Sequence, residues 1–180
     1  MKRAFSLVSV LSLLVLLLSC SDTREFTHCE MTLTLPEGFE DQAVDEPFVI
    51  KDASGTPVVF STSNADSADI ALCDGNVAVT LVRISHEAAV DEGIFPGLTQ
   101  LEFARFYMKL SGISSEVEIH SGVPYCTYQK LGSDGGSFTF LLSFFQTPNA
   151  YFVLSFITTE DNFDSMRPTL FEYISSVGFK

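Results

Sequence analysis

Apolar and polar residues alternate with a period of two along most of this chain, and two stretches shift to steps of three and four. Thr32–Leu35 alternates and stops at Pro36-Glu37-Gly38, which predicts a strand running into a turn. Phe48–Lys51 and Val58–Ser61 read as short strands joined by the turn-rich run Asp52-Ala53-Ser54-Gly55-Thr56-Pro57. Ile70–Cys73 and Asn76–Ile84 flank Asp74-Gly75, a pair suited to a tight hairpin because both residues tolerate positive φ. Leu98–Leu110 is predicted as a helix capped by Thr99 and ended by Gly112. Its apolar face would be Leu98, Leu101, Phe103 or Phe106, and Leu110. Glu116–His120 and Tyr125–Leu131 form a further strand pair around Gly122-Val123-Pro124.

The runs Phe138–Gln146 and Tyr151–Thr158, joined at Pro148-Asn149, are the most apolar. Phe138, Phe140, Leu142 and Phe144 would share one face, and Leu141 and Phe145 the other. A strand apolar on both faces needs cover on both, which predicts that these two are central. A helix over Asp164–Val177 closes the chain, with Phe163, Met166, Leu170, Ile174 and Val177 on one side. Pro168 is tolerable in it only within the first turn, where a missing N–H costs nothing. The expected fold class is α+β: a mostly antiparallel β-sheet flanked by helices in α/β/α order.

The first 20 residues follow another pattern. Lys2 and Arg3 precede an uncharged apolar run, Ala4–Ser19, too short for the roughly 20 residues of a spanning helix and well matched to a signal peptide. Leu17-Leu18-Ser19-Cys20 resembles the lipobox of bacterial lipoproteins, with Leu18 a departure from the smaller residue common at that place. That resemblance implies cleavage before Cys20 and a diacylglyceryl thioether, with palmitate or a related acyl chain, on its sulfur. Two or more acyl chains hold firmly in a bilayer where one does not. The domain reading is therefore a leader over 1–20, a polar tether over 21–30 and one domain over 31–180. The expected location is exported and lipid-anchored, on the outer face of the cytoplasmic membrane or the periplasmic side.

Composition adds limits. A domain of this length buries about 70% of its unfolded surface and needs no metal or disulfide to fold. The 46% apolar content and 17 Phe exclude a disordered chain. Ten Lys+Arg face 23 Asp+Glu, a net charge of −13. Both leader cations are lost on cleavage, so eight remain against 23 acids, a net of −15. Such a surface repels phosphate backbones, and nucleic acid is not an expected partner. Anionic lipid is also disfavoured, so the membrane should be held through the lipid anchor.

The order of elements resembles the PsbP-like superfamily, which spans PsbP itself, Mog-type Ran-binding proteins and DcrB-like bacterial lipoproteins. The residues carrying it are Leu33-Thr34-Leu35-Pro36-Glu37-Gly38-Phe39, the Asn76–Ile84 strand, Leu101-Glu102-Phe103-Ala104 and Gly122-Val123-Pro124-Tyr125. The Tyr151–Thr158 strand and Ile174-Ser175-Ser176-Val177-Gly178-Phe179 complete it. It covers about residues 31–180 and implies an antiparallel sheet between helices, in a family that mostly binds proteins. These are packing signatures; no residue matches one that would carry over Ran binding or a photosystem role.

Catalytic signatures are missing: there is no G-x-S-x-G, no Walker loop, no G-x-G-x-x-G and no C-x-x-C. His86-Glu87-Ala88-Ala89-Val90 opens like a zinc helix but has Val90 where the second imidazole must stand, and reads as exposed loop. Asp66, Asp69 and Asp74 lack the spacing of a calcium loop and read as solvated acids. Three thiols remain beyond Cys20 and cannot all pair. Export permits one disulfide, with Cys29 and Cys73 the candidate pair near strand ends; the alternative is cysteine as a small buried hydrophobe. Cys126 beside a histidine would be needed for nucleophilic chemistry, and His28 falls in the tether. No metal or cofactor is expected. The expected role is a non-catalytic binding or accessory module for an unidentified protein partner. Small-molecule binding, or an enzyme site assembled across the fold, is the alternative.

Overall fold

In the computed structural model the described residues are 22–44, 46–60, 68–91, 93–94, 97–132 and 135–180. The leader, Cys20 and Asp66 lie outside them. Three elements open the chain: β1 (Thr23–His28), β2 (Met31–Pro36) and β3 (Glu40–Asp41). The hairpin β4 (Phe48–Lys51) and β5 (Pro57–Phe60) follows, then β6 (Ile70–Cys73), β7 (Ala78–Ser85), α1 (His86–Asp91) and α2 (Gln100–Leu110). The second half holds β8 (Glu118–His120), β9 (Val123–Leu131), β10 (Ser137–Gln146), β11 (Ala150–Thr159), α3 (Glu160–Ser175) and β12 (Gly178–Phe179).

Seven strands form the main sheet in the order β3-β6-β7-β11-β10-β9-β8, antiparallel throughout. The most apolar strands, β10 and β11, stand at its centre, as their two-sided apolar pattern requires. On one face Leu141, Phe145, Phe152, Leu154 and Phe156 pack against Leu170 and Ile174 of α3 and against Met31, Leu33 and Leu35 of β2. A second sheet, β1-β2-β12, extends this cover. The opposite face is covered in two separate parts. At one end α1 and α2 bury Ile84, Leu142, Phe144, Tyr151 and Val153. At the other, β4–β5 buries Ala78, Phe138, Phe140 and Ile157. The fold is α+β, with helices on both faces and strands sharing the cover on each.

Several expectations are corrected. Within the tether expected over 21–30, Thr23–His28 is instead a strand that pairs with β2 at six positions. The strand has one buried residue, Phe26, so no alternation marks it; pairing and Arg24 lying 4.7 Å over the Phe26 ring fix it instead. The Asp74-Gly75 hairpin has four loop residues, since Cys73 pairs with Ala78. Asp74 Oδ1 accepts the N–H groups of Asn76 (2.8 Å) and Val77 (2.7 Å), closing the wider loop with a side chain. Helix α3 starts four residues early, so Pro168 stands in its interior. The α2 face is Phe103, Ala104 and Met108, whereas Leu110 is exposed. The Thr99 cap is present as a full capping box with Glu102.

Candidate functional site

The two-part cover of one sheet face leaves a cavity of about 540 Å³ between its parts. Register sets the floor. Thr80 pairs with Ser155, Ser155 with Leu142, and Leu142 with Cys126, one row crossing four strands. The next row runs Ile157, Phe140, Tyr128. Thr80, Val82, Ser155, Ile157, Leu142 and Phe140 all open on the cavity, two hydroxyls set in an apolar floor.

Each wall is held by identifiable contacts. Helix α2 is pinned to the sheet at its start. There Gln146 Nε2 (2.9 Å) and Tyr151 Oη (3.1 Å) donate to the Leu98 carbonyl, while Gln100 Nε2 donates to that of Phe144. Phe103 stacks on Tyr151 with centroids 4.2 Å apart, and Tyr107, its ring 5.9 Å from Phe103 and 5.7 Å from Phe144, lines the cavity. After α2, Ile113 N donates to the Met108 carbonyl (2.9 Å) and Ser115 Oγ to that of Thr127 (2.5 Å). The strap 111–115 so forms one rim. The facing wall is Phe60 of β5, whose ring lies 4.6 Å from Phe138 and 5.4 Å from Phe140. Its hairpin is fastened by Asn162 Nδ2 donating to the Lys51 carbonyl (2.8 Å) and Ala53 N donating to Asp161 Oδ2 (2.9 Å). Tyr128 stacks on Phe140 at 4.7 Å with nearly parallel rings, and burial pushes its phenol well above the ordinary range. Lys130 and Gln129 stand at the outer edge. The arrangement can hold a flat apolar group and offer it hydroxyls.

The residues singled out from sequence lie elsewhere. Cys29 occupies the β1–β2 turn and Cys73 ends β6, and both are free. The expected bridge between them is not made. Glu30, next to Cys29, contacts Arg83 (3.2 Å) and Thr147 (3.1 Å) at one end of the main sheet, whereas Cys73 pairs with Ala78 at the other. Disulfide geometry needs Cα atoms within about 7 Å. Cys126 is buried with its Sγ 3.0 Å from Met108 Sδ, and burial pushes its thiol up to about 12, which favours the un-ionised form. His86 begins α1 and is not in a loop; it sits 4.7 Å from the Tyr151 ring with its Nε2 buried. Asp69 Oδ2 accepts the Arg83 N–H (2.5 Å), so Asp69 and Asp74 fasten opposite ends of β6 and do not converge. Among the described residues no group of three His, Cys, Asp or Glu side chains is placed to hold a metal ion. Sequence reading missed Thr80 and Ser155. The signal was present: each is a hydroxyl interrupting a strand of inward apolar residues.

Fold and cavity together define a small α+β protein whose antiparallel sheet carries a cleft on one face. No protein family and no curated protein matches the sequence. Solved structures do resemble it. Cyanobacterial PsbP (CyanoP) from Synechocystis sp. PCC 6803 is 12% identical, with a TM-score of 0.49 over 90% of this chain and 95% of that one. The Ran-binding protein Mog1p of Saccharomyces cerevisiae is 11% identical, with a TM-score of 0.47 over 89% and 96%. A putative regulator from Pseudomonas aeruginosa is 11% identical, with a TM-score of 0.41 over 88% and 97%. PsbP and a Mog-type protein are thus among the similar structures, as the sequence resemblance implied. At this identity the likeness concerns arrangement, and Ran binding is a property of the yeast protein.

Proposed function

We propose that this protein is an exported module, lipid-anchored through Cys20, that binds a ligand in the cleft between α2 and the β4–β5 hairpin and does not transform it. The observation that carries the reading is the cleft: a cavity of about 540 Å³ on one face of the main sheet, with the Thr80 and Ser155 hydroxyls at its floor. That size suits a drug-sized organic molecule. Among the described residues no helix is long and apolar enough to cross a membrane. The anchor is read from the basic n-region, the short apolar run and the cysteine directly after it. Native mass spectrometry of the full chain, extracted gently from membranes, tests both parts. The expected result is a covalent diacylglyceryl mass on Cys20 together with a non-covalent small molecule. In Cys20→Ala the first should vanish and the protein leave the membrane, while the second persists. An unmodified Cys20 overturns the anchor; a ligand-free protein overturns the binding role.

A further inference from the structure

We propose that the cleft selects a small anionic aromatic molecule bearing a ring hydroxyl, its ring against the Tyr128–Phe140 pair and its carboxylate toward Lys130. This deepens the binding role proposed above and rests on it. Three features of the lining converge on that chemistry. First, aromatic rings contribute to the lining: Tyr128, stacked on Phe140, and Tyr107, with Phe60 buried against Phe140. A ring meets such walls in the offset and edge-on geometries that aromatic pairs prefer. Second, Thr80 and Ser155 are directly paired across β7 and β11, so their hydroxyls lie side by side within the apolar floor. A plain acyl chain would cover them without hydrogen-bonding them, which costs free energy; a ring hydroxyl satisfies them. Third, a cation stands on the lining: the chain carries a net −13, and Lys130 lies at this cavity, with Ser111, Ser114 and Ser115 along the rim. Beyond the strap, Arg105 and Lys109 border the adjoining groove together with Glu116. An anion repelled by the general surface meets a cation here.

The test uses full-length lipidated protein in nanodiscs, with empty nanodiscs as reference. The chain has no Trp, so naphthalene fluorescence is read without competition from indole. Hydroxynaphthoate should bind saturably. Naphthol, which lacks the charge, should bind more weakly by up to about fivefold, the upper end of what one exposed charge pair contributes. Naphthylmethylamine, a cation, should bind more weakly still. Lys130→Gln should bring the hydroxynaphthoate-to-naphthol ratio to about one. The mild changes Thr80→Val and Ser155→Ala should weaken hydroxynaphthoate relative to naphthoate lacking the hydroxyl. Ser114→Phe, on the exposed rim, should narrow the cleft and reduce binding of every probe without adding an indole. Naphthol or the amine binding as tightly as hydroxynaphthoate, a ratio indifferent to Lys130→Gln, or no saturable binding of hydroxynaphthoate each overturns the ligand class and leaves the native-extraction result standing. Binding untouched by Ser114→Phe, with an unchanged circular dichroism spectrum, removes the cleft and with it the underlying reading.

Discussion

Ser121 holds a φ of 50°, a left-handed conformation that a serine side chain resists, and Gly122 follows at 84°. With His120 paired to Val123, the two form the whole loop of the β8–β9 hairpin, and positive φ at both positions marks a type I′ turn. Asn-Gly is the pair that turn favours most. Ser121→Asn should therefore stabilise the protein by about 0.5 kcal/mol, seen as a higher urea midpoint at constant slope. Sequence reading put the tight turn at Asp74-Gly75, where only the glycine has positive φ. Dipeptide identity overrates Asp-Gly there because the Asp74 side chain, by capping two N–H groups, supports a four-residue loop just as well.

At the scale of elements, Pro168 is the clearest local conflict. It stands in the ninth position of α3, where it offers no N–H to the carbonyl of Asp164. Both residues are exposed, so water can serve that carbonyl, and the apolar side through Leu170 and Ile174 holds the helix against the sheet. Pro168→Ala should raise the unfolding free energy by about 1–3 kcal/mol, measurable by chemical denaturation. The strands most legible in sequence were β10 and β11, whose residues are apolar on both faces and fit only the middle of a sheet. The least legible was β1. Thr-Arg-Glu-Phe-Thr-His holds one buried residue, and its structure comes from a partner strand, which local pattern cannot reveal. The cleft was illegible for a similar reason: Thr80 and Ser155 are 75 residues apart, and only sheet register sets them side by side.

For the molecule as a whole, Glu30 joins the smaller sheet to the larger. Its carboxylate accepts from Arg83 (Nε, 3.2 Å) on β7 and from Thr147 (Oγ1, 3.1 Å) in the β10–β11 turn. Burial works against its charge, but the hydrogen bonds from Arg83 and Thr147 outweigh it and hold the carboxyl below its ordinary value of 4.5. A depressed carboxyl contributes stability that is fully present above its unfolded pKa and fades as pH falls through the folded one. Glu30→Gln should thus destabilise by about 1 kcal/mol at neutral pH, and the gap to the parent should narrow in acid as pH falls below the ordinary value of 4.5 and through the depressed one. Thermal melts of both proteins across that range check it.

Because the Asp22 carbonyl already accepts the Glu37 N–H (3.1 Å) and β1 follows at Thr23, only Ser21 separates the proposed anchor from hydrogen-bonded backbone. Two residue steps reach about 7 Å at full extension, a distance comparable to the Debye length in physiological salt. A protein of this charge would then sit inside the electrostatic double layer of an anionic leaflet, on a leash too short to swing away. Its tilt relative to the lipid should accordingly respond to ionic strength and headgroup composition, as a long flexible spacer would not allow.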